Sequence, residues 1–247
     1  MRVESPAFAK LNLDLEVIGR RYDGYHEIRT TMQAVELHDS LVFEFTVGTE
    51  SSVAVTGFSV GTDGNSVLKA HGALERATGK KFPIGVELHK RIPPGSGMGG
   101  ASSDAAATLT TLKTALRLDV DLEPIAAEIG SDVPFFLHGG AALVEGRGER
   151  VTPIDTTPAW FAIAWPGIEL STKAVYHAWD EIKGKDLTSA AEHVEPRLKA
   201  FAIMLGEGWT MTGSGSAFFK PAATENEARV AIRGLDCWTA VTRAMDR

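Results

Sequence analysis

The first strong pattern in the chain is an alternation of apolar and polar residues over 9–17. A period of two is typical of a β-strand whose two faces differ in polarity. We therefore predict a strand here with one face in solvent. The polar residues would share that solvated face: Lys10, Asn12 and Asp14.

Two further apolar runs, 41–47 and 52–55, are separated by a short segment that contains Gly48. Runs of this length around a glycine favour a β-hairpin. We predict that the two runs pair directly in an antiparallel sheet.

Helical signals begin at Asn65, whose side chain can cap a helix that runs to about Thr78 and ends at Gly79. Apolar residues spaced three or four apart predict another helix after residue 104. The remaining predicted helices cover 124–130 and 225–232 and much of the chain after 171. The remaining predicted strands cover 84–89, 141–145, 161–165 and 216–219.

Strands and helices mix without regular βαβ alternation, so the pattern indicates an α+β fold. A shift from strands to helices places a boundary near residue 150. We expect an N-terminal lobe over 1–150 and a C-terminal lobe over 151–247.

Composition narrows the possible functions. Formal net charge is −7, and hydrophobic residues make up 44% of the chain. An acidic balance disfavours a nucleic-acid or membrane-surface protein, which normally needs a positive field. With a single cysteine, no signal-peptide pattern, no long apolar run and scattered histidines, we expect a cytoplasmic protein without disulfide or zinc site. The sequence leaves a monomer and a homodimer equally open.

The segment with the strongest chemical character is rich in glycine and runs from Pro93 to Asp104. Glycines lack a Cβ, so their backbone N–H groups can approach an anion closely. The segment leads into the predicted helix, whose N-terminus favours phosphate. The candidate ligands of a nucleotide phosphate are Pro94, Gly95, Ser96, Gly97, Met98, Gly99, Gly100, Ala101, Ser102 and Ser103.

Three other structures could account for the glycines of this segment. It is not a Walker A loop, because no lysine follows Gly100. Gly95, Gly97 and Gly100 match a dinucleotide motif, but two prolines and antiparallel-looking strands precede them, which disfavours that fold. A glycine turn without a ligand remains the simplest structural alternative.

At these residues the chain resembles the GHMP kinases, the family of galactose, homoserine, mevalonate and phosphomevalonate kinases. Further similar motifs follow the order of the family: 6–13, 19–27, 130–136, 141–149 and 211–216. They most resemble members whose substrate carries a cytidine diphosphate group and whose product belongs to the non-mevalonate route to isoprenoid precursors. The segment 171–210 is shorter than usual for the family.

The resemblance implies a two-lobed fold and transfer of phosphate from ATP, with Mg²⁺, to a small-molecule hydroxyl. It assigns Asp132 as the base that takes the proton of the hydroxyl, with Lys10 near it. Taken alone, Asp132 is more simply explained as a turn or helix cap, and Lys10 could equally be a solvated strand residue.

The same resemblance assigns Tyr25 and His26 to the cytidine end of the substrate, where a ring can stack and an imidazole can hydrogen-bond. Asn12, Gly213 and Ser214 are further candidates for substrate contact. Asn65 could lie near ATP or simply cap its helix. The Mg²⁺ ligands stay unassigned, with Ser103 as a candidate.

Two alternatives within the family remain open. One is a GHMP kinase that acts on a different alcohol, and the other is a sensor that binds nucleotide without turnover.

Overall fold

The computed structural model describes residues 1–45, 50–60, 65–183 and 186–246. Its strands are β1 (Arg2–Asn12), β2 (Glu16–Arg20), β3 (His26–Phe45), β4 (Ser52–Gly57), β5 (Ile84–Lys90), β6 (Ala141–Gly146), β7 (Arg150–Ile154), β8 (Trp160–Trp165), β9 (Thr210–Met211), β10 (Phe218–Ala222) and β11 (Trp238–Arg243). Its helices are α1 (Ser66–Thr78), α2 (Gly100–Ala115), α3 (Glu123–Ile129), α4 (Val133–His138), α5 (Thr172–Ile182), α6 (Leu187–Val194), α7 (Arg197–Leu205) and α8 (Glu225–Ala231). The predicted α+β mixture is confirmed.

The chain forms two compact units, each assembled from several segments. The first unit contains residues 1–9, 38–94 and 99–138, and the second contains 10–37, 95–98 and 139–247. Strand β3 therefore gives its first twelve residues to the second unit and the rest to the first. The lobe boundary near residue 150 stays a prediction.

In the first unit, β5 lies between β4 and the second half of β3. It runs parallel to β4, with Val53 opposite Val86, and antiparallel to β3, with Leu41 opposite Leu88. The predicted hairpin of 41–47 with 52–55 is therefore wrong. A parallel pair needs a crossover, which α1 provides between β4 and β5. Gly48, placed in the hairpin turn by the prediction, lies outside the described residues.

Both ends of helix α1 lie where the capping residues in the sequence predict them. The Asn65 side chain accepts a hydrogen bond from the Val67 N–H, and Gly79 adopts the left-handed conformation with φ of 65°. Leu74 of α1 packs with Leu109 and Leu112 of α2 in the core of this unit. That core fixes the position of α2 within the first unit.

In the second unit, the first half of β3 pairs with β2 and β6, and β6 pairs with β7, all antiparallel. A separate antiparallel sheet has the order β11-β8-β10-β9. Helices α5, α6 and α7 bury apolar side chains with Val17, Ile28 and Phe218. Most of the helix predictions after residue 171 are confirmed, although the last sheet strand before α8 begins at Phe218 rather than at Ser216.

The first strand differs from its prediction in two ways. It ends at Asn12, because the Asp14 carboxylate turns back and accepts hydrogen bonds from the Thr31 N–H and hydroxyl. Lys10 and Asn12 are buried, so the expected solvated face is wrong for these two residues. Among the described helices, none combines the length and apolar character that a membrane crossing requires.

Candidate active site

The glycine-rich segment bends through three glycines in the left-handed region. Their φ angles are 59° at Gly95, 78° at Gly97 and 74° at Gly99. A Cβ on Gly97 would lie 2.2 Å from the carbonyl oxygen of Thr212, and one on Gly95 would lie 2.8 Å from Cα of Glu169. Only glycine fits these two positions, both for conformation and for space.

Backbone hydrogen bonds fix residues 95–98 within the second unit. The carbonyl of Gly95 accepts from the N–H groups of Leu170 and Ser216 at 3.1 and 3.2 Å, and Ala217 N–H donates to the Ser96 carbonyl at 3.0 Å. The carbonyl groups of Gly95 and Ser96 therefore point into the second unit. Such an arrangement is suited to presenting N–H groups on the other side of a loop.

Helix α2 starts directly after the loop, with Gly99 as its N-cap residue. No side chain among the described residues caps this end. The first N–H groups of a helix have no intrahelical acceptor, and they carry the positive end of the helix dipole. The start of α2, which includes Gly100, Ala101 and Ser102, is thus suited to a phosphate group.

Lys10 and Asn12 form a buried polar pair at the end of β1, with 3% and 2% of their surface exposed. Lys10 Nζ donates to Asn12 Oδ1 at 2.5 Å, and Asn12 Nδ2 donates to the Thr30 hydroxyl at 2.9 Å. The Asn12 N–H donates to the Thr212 hydroxyl at 2.9 Å. The backbone at Met98 lies against this pair and covers it. The Met98 carbonyl accepts a hydrogen bond from the Lys10 N–H at 3.0 Å.

The turn at Gly213 lies against this pair. A Cβ on Gly213 would lie 3.1 Å from Lys10 Nζ, 3.1 Å from Asn12 Oδ1 and 3.0 Å from the Gly97 carbonyl oxygen. The predicted residues Lys10, Asn12, Gly97 and Gly213 are thus brought together within the second unit. The hydroxyl of Ser214, beside them in sequence, is 2.9 Å from the hydroxyl of Thr172.

Tyr25 and His26 have different environments. Tyr25 is 49% exposed, and the guanidinium of Arg147 lies 4.9 Å from its ring centre. The His26 ring stacks on Tyr176 with 4.8 Å between ring centres, and its Nε2 lies 2.8 Å from Oδ1 of Asp180. An exposed ring at Tyr25 and an imidazole of fixed orientation at His26 are features that suit recognition of a planar base.

Asp132 belongs to the first unit, where it is half-buried in the turn just before α4. The turn passes close to the start of α2, since a Cβ on Gly130 would lie 3.9 Å from the hydroxyl of Ser102. The structure therefore places the Asp132 turn beside Ser102, in the first turn of α2. Asn65 lies in the same unit, and its side chain caps α1.

Comparison with known proteins assigns the family. The family model described as GHMP kinases N terminal domain matches residues 65–140. The 4-diphosphocytidyl-2-C-methyl-D-erythritol kinase of Chromohalobacter salexigens is 34% identical over 94% of this chain and 87% of its own length. The chain belongs to the family of these GHMP kinases.

Other members of the family agree. The kinase of the same name from Delftia acidovorans is 36% identical over 87% of this chain and 85% of its own. The one from Thermotoga maritima is 45% identical, and there the match spans 70% of this chain but only 64% of the relative.

Two solved structures show the fold. A crystal structure of 4-(cytidine 5'-diphospho)-2C-methyl-D-erythritol kinase has a TM-score of 0.83 at 33% identity, covering 99% of this chain and 100% of the other. The L. major mevalonate kinase in complex with R-mevalonate has a TM-score of 0.74 at 12% identity, covering 98% and 96%. The second likeness concerns the fold alone.

Several residues of this GHMP kinase that shape the site were missed in the sequence. Thr30 and Thr212 hold Asn12, and Asp180 holds His26. A hydroxyl or carboxylate that is distant in the chain from its hydrogen-bond partner produces no local sequence pattern that would reveal the contact. The motif around 211–216 was the single available signal, and it drew attention to Gly213 rather than to Thr212.

Proposed function

We propose that the protein transfers the γ-phosphoryl group of ATP to the 2-hydroxyl of 4-diphosphocytidyl-2-C-methyl-D-erythritol. The observation that carries the proposal is the glycine-rich loop, in which three left-handed glycines lead into a helix N-terminus that no side chain of the described residues caps. This geometry suits the phosphates of a nucleotide. Family membership supports the acceptor and a place in isoprenoid precursor biosynthesis.

ATP would lie along residues 94–103. Its phosphates would accept hydrogen bonds from N–H groups of the glycine-rich loop before α2 and of the first turn of α2. Asn65 is retained as a candidate for the nucleotide, in addition to its role as a cap. Mg²⁺, when bound to ATP, neutralises charge on the transferred phosphate.

The residues around the loop are compatible with a metal held mainly through the nucleotide. Within the described ranges, no group of three His, Cys, Asp or Glu side chains could hold a metal ion. Magnesium often keeps its waters and takes one or two protein ligands together with phosphates. Ser103, on the first turn of α2, is the candidate ligand from the protein.

In the reaction, the acceptor oxygen forms a bond to the γ-phosphorus while the bond between that phosphorus and the bridging oxygen of ADP breaks. Asp132 takes the proton of the hydroxyl. Lys10 supplies a positive charge for the developing negative charge, and Asn12 sets the direction of the ammonium group through its Oδ1. Both are buried, which strengthens such electrostatic effects.

The substrate would be recognised at its cytidine end. Tyr25 presents an exposed ring for stacking on the base, and His26 offers a fixed imidazole. Gly213 and Ser214 allow the chain to approach the acceptor closely. At 213 an added Cβ would lie 3.1 Å from both Lys10 Nζ and Asn12 Oδ1, so a larger residue would crowd these two groups.

The test is an ADP-release assay with ATP, Mg²⁺ and 4-diphosphocytidyl-2-C-methyl-D-erythritol, with the product identified by phosphorus NMR. Asp132→Asn is run beside the wild type, with the exposed Asp119→Asn as the matched control. We expect turnover in the wild type and in the control, and a loss of at least a hundredfold in Asp132→Asn. Folded wild-type protein that binds ATP but never phosphorylates this alcohol would contradict the proposal.

A further inference from the structure

A buried ammonium group and two buried carboxylates lie at the base of the glycine-rich loop. Lys90 is the last residue of β5, Asp104 lies in the second turn of α2, and Asp39 lies in β3. Lys90 Nζ donates to Asp104 Oδ2 at 2.7 Å and also hydrogen-bonds to Asp39 Oδ2. All three side chains are at most 4% exposed.

Asp39 fixes the chain as it enters the loop. Its second oxygen, Oδ1, accepts from the backbone N–H groups of Arg91 and Ile92 at 2.5 and 2.8 Å. Hydrogen bonds from N–H groups to a carboxylate are charge-assisted and roughly twice as strong as neutral ones. Residues 91 and 92, which immediately precede the prolines of the loop, are therefore held by one side chain.

The chain leaving the loop is fixed at the same place. A Cβ on Gly100 would lie 3.2 Å from Lys90 Nζ and 3.1 Å from Cγ2 of Ile92. The first residue of α2 thus lies directly on the last residues before the loop. Because Lys90 also binds Asp104, one ammonium group joins the two ends of the segment 91–99.

The buried cluster of Lys90, Asp39 and Asp104 contributes little net stability, because removing three charged groups from water costs free energy. Two carboxylates share one ammonium, and Asp104 Oδ1 is buried without a hydrogen-bond partner among the described residues. Burial, with Asp39 adding to it and Lys90 opposing it, raises the pKa of Asp104 to about 7. Buried ion pairs are often no more stabilising than apolar residues of the same volume, and their best-attested use is to fix one arrangement of the chain.

We propose that Lys90, Asp39 and Asp104 are positioning residues that hold the two ends of the glycine-rich loop at the spacing required by the phosphates of ATP. The inference rests on the proposed binding of ATP at this loop. The three residues act through the backbone, so they need no contact with the nucleotide. Loss of the Lys90–Asp104 contact would free the helix end of the loop while the other end stays attached to Asp39.

The experiment measures the dissociation constant of ATP by calorimetry without the acceptor, and the KM of each substrate by ADP release. In Asp104→Ala we expect ATP binding to weaken about tenfold and the KM of the alcohol to change less than twofold. Asp104→Asn keeps an oxygen that accepts from Lys90, so its ATP affinity should stay within threefold of the wild type. Asp104→Ser, too short to reach Lys90, should behave like Asp104→Ala and replaces it if that variant does not fold.

The matched control is Leu109→Ala, which removes buried side-chain atoms from the apolar core about one and a half turns further along α2. We expect it to lower the melting temperature and leave ATP affinity unchanged. Equal ATP affinity in Asp104→Ala, Asp104→Ser and the wild type would overturn the inference and leave the cluster a purely structural role. Wild-type protein that does not bind ATP would instead refute the proposed function, and this inference with it.

Discussion

The carboxylate of Asp180 lies 2.8 Å from Nε2 of His26, although 154 residues separate the two in the chain. Its other oxygen is 3.5 Å from the guanidinium of Arg20. The ring of Trp179 meets the His26 ring edge-on, with 5.6 Å between centres. The imidazole proposed to receive cytidine is thus fixed in orientation by α5.

We expect Asp180→Ala to raise the KM of the cytidine-containing substrate about tenfold, because a charge-assisted hydrogen bond that orients His26 is lost. The KM of ATP and kcat should change little. The neighbouring Glu181→Gln, whose side chain is exposed, is the matched control for ADP-release kinetics. An unchanged KM in Asp180→Ala would show that His26 orientation does not govern substrate binding.

Lys10→Met should lower kcat by a factor of about 10² to 10³, the usual cost of removing a group that stabilises charge in a transition state. Methionine resembles the lysine chain in length and apolar character, so the fold should be retained. ADP release at saturating substrates and thermal unfolding would separate the two effects. Lys80→Met removes an exposed lysine as the control, and equal kcat in both variants would contradict the role given to Lys10.

Gly97→Ala should abolish measurable ATP binding and lower the free energy of unfolding by about 2 kcal/mol or more. The added Cβ would lie 2.2 Å from the Thr212 carbonyl oxygen in a left-handed backbone conformation. Gly139→Ala is the matched control, since Gly139 has a φ of 68° but no atom of the described residues lies within 4 Å of an added Cβ. Gly139→Ala should show the strain alone, about 1–2 kcal/mol, with ATP binding intact. Equal loss of ATP binding in both variants would show that the close approach at Gly97 is not the cause.

The free energy of unfolding should depend on pH through Asp104. Its pKa is raised from 3.8 to about 7 in the folded protein, so the folded state binds the proton more tightly than the unfolded state. The stabilisation is complete below pH 3.8 and is lost as pH rises toward and through 7. The slope cannot exceed about 1.4 kcal/mol per pH unit for one group.

Urea unfolding at pH 5.5, 6.5, 7.5 and 8.5 would measure this slope in the wild type and in Asp104→Asn. Burial lowers the pKa of Lys90, but the carboxylates of Asp104 and Asp39 outweigh it and raise that pKa above its ordinary value, so Lys90 stays charged over this range. We expect Asp104→Asn to gain stability over the wild type as pH rises. Parallel curves for the two proteins would place the pH dependence elsewhere.

Local signals in the sequence were sufficient wherever a structure depends on neighbours in the chain. Asn65 and Gly79 delimit α1 because caps act within a few residues. The glycines at 95, 97 and 99 indicate a backbone conformation that other residues rarely adopt, and all three have positive φ. The helix after the loop followed from its apolar spacing.

Relationships between distant residues could not be predicted in the same way. The short separation of the apolar runs at β3 and β4 predicts that these two strands pair. In the structure β5, more than 25 residues further along the chain, lies between them. An alternating pattern shows which residues share a face of a strand, but it does not show which other segment covers that face. The burial of Lys10 and Asn12 could therefore not be predicted from the pattern. The Lys90 cluster joins residues 14 and 51 positions apart, each of an ordinary surface type.

The interleaved segments of the second unit have a consequence for synthesis on the ribosome. Residues 26–37 leave the ribosome early, yet Gln33 donates to the carbonyl of Met245 at 2.9 Å and Ala34 accepts from the Met245 N–H at 2.9 Å. At about 5–20 residues per second, these partners are translated roughly 10–40 seconds apart. The first unit is fully translated at residue 138, whereas the first twelve residues of β3 gain this partner only after residue 245 has been translated.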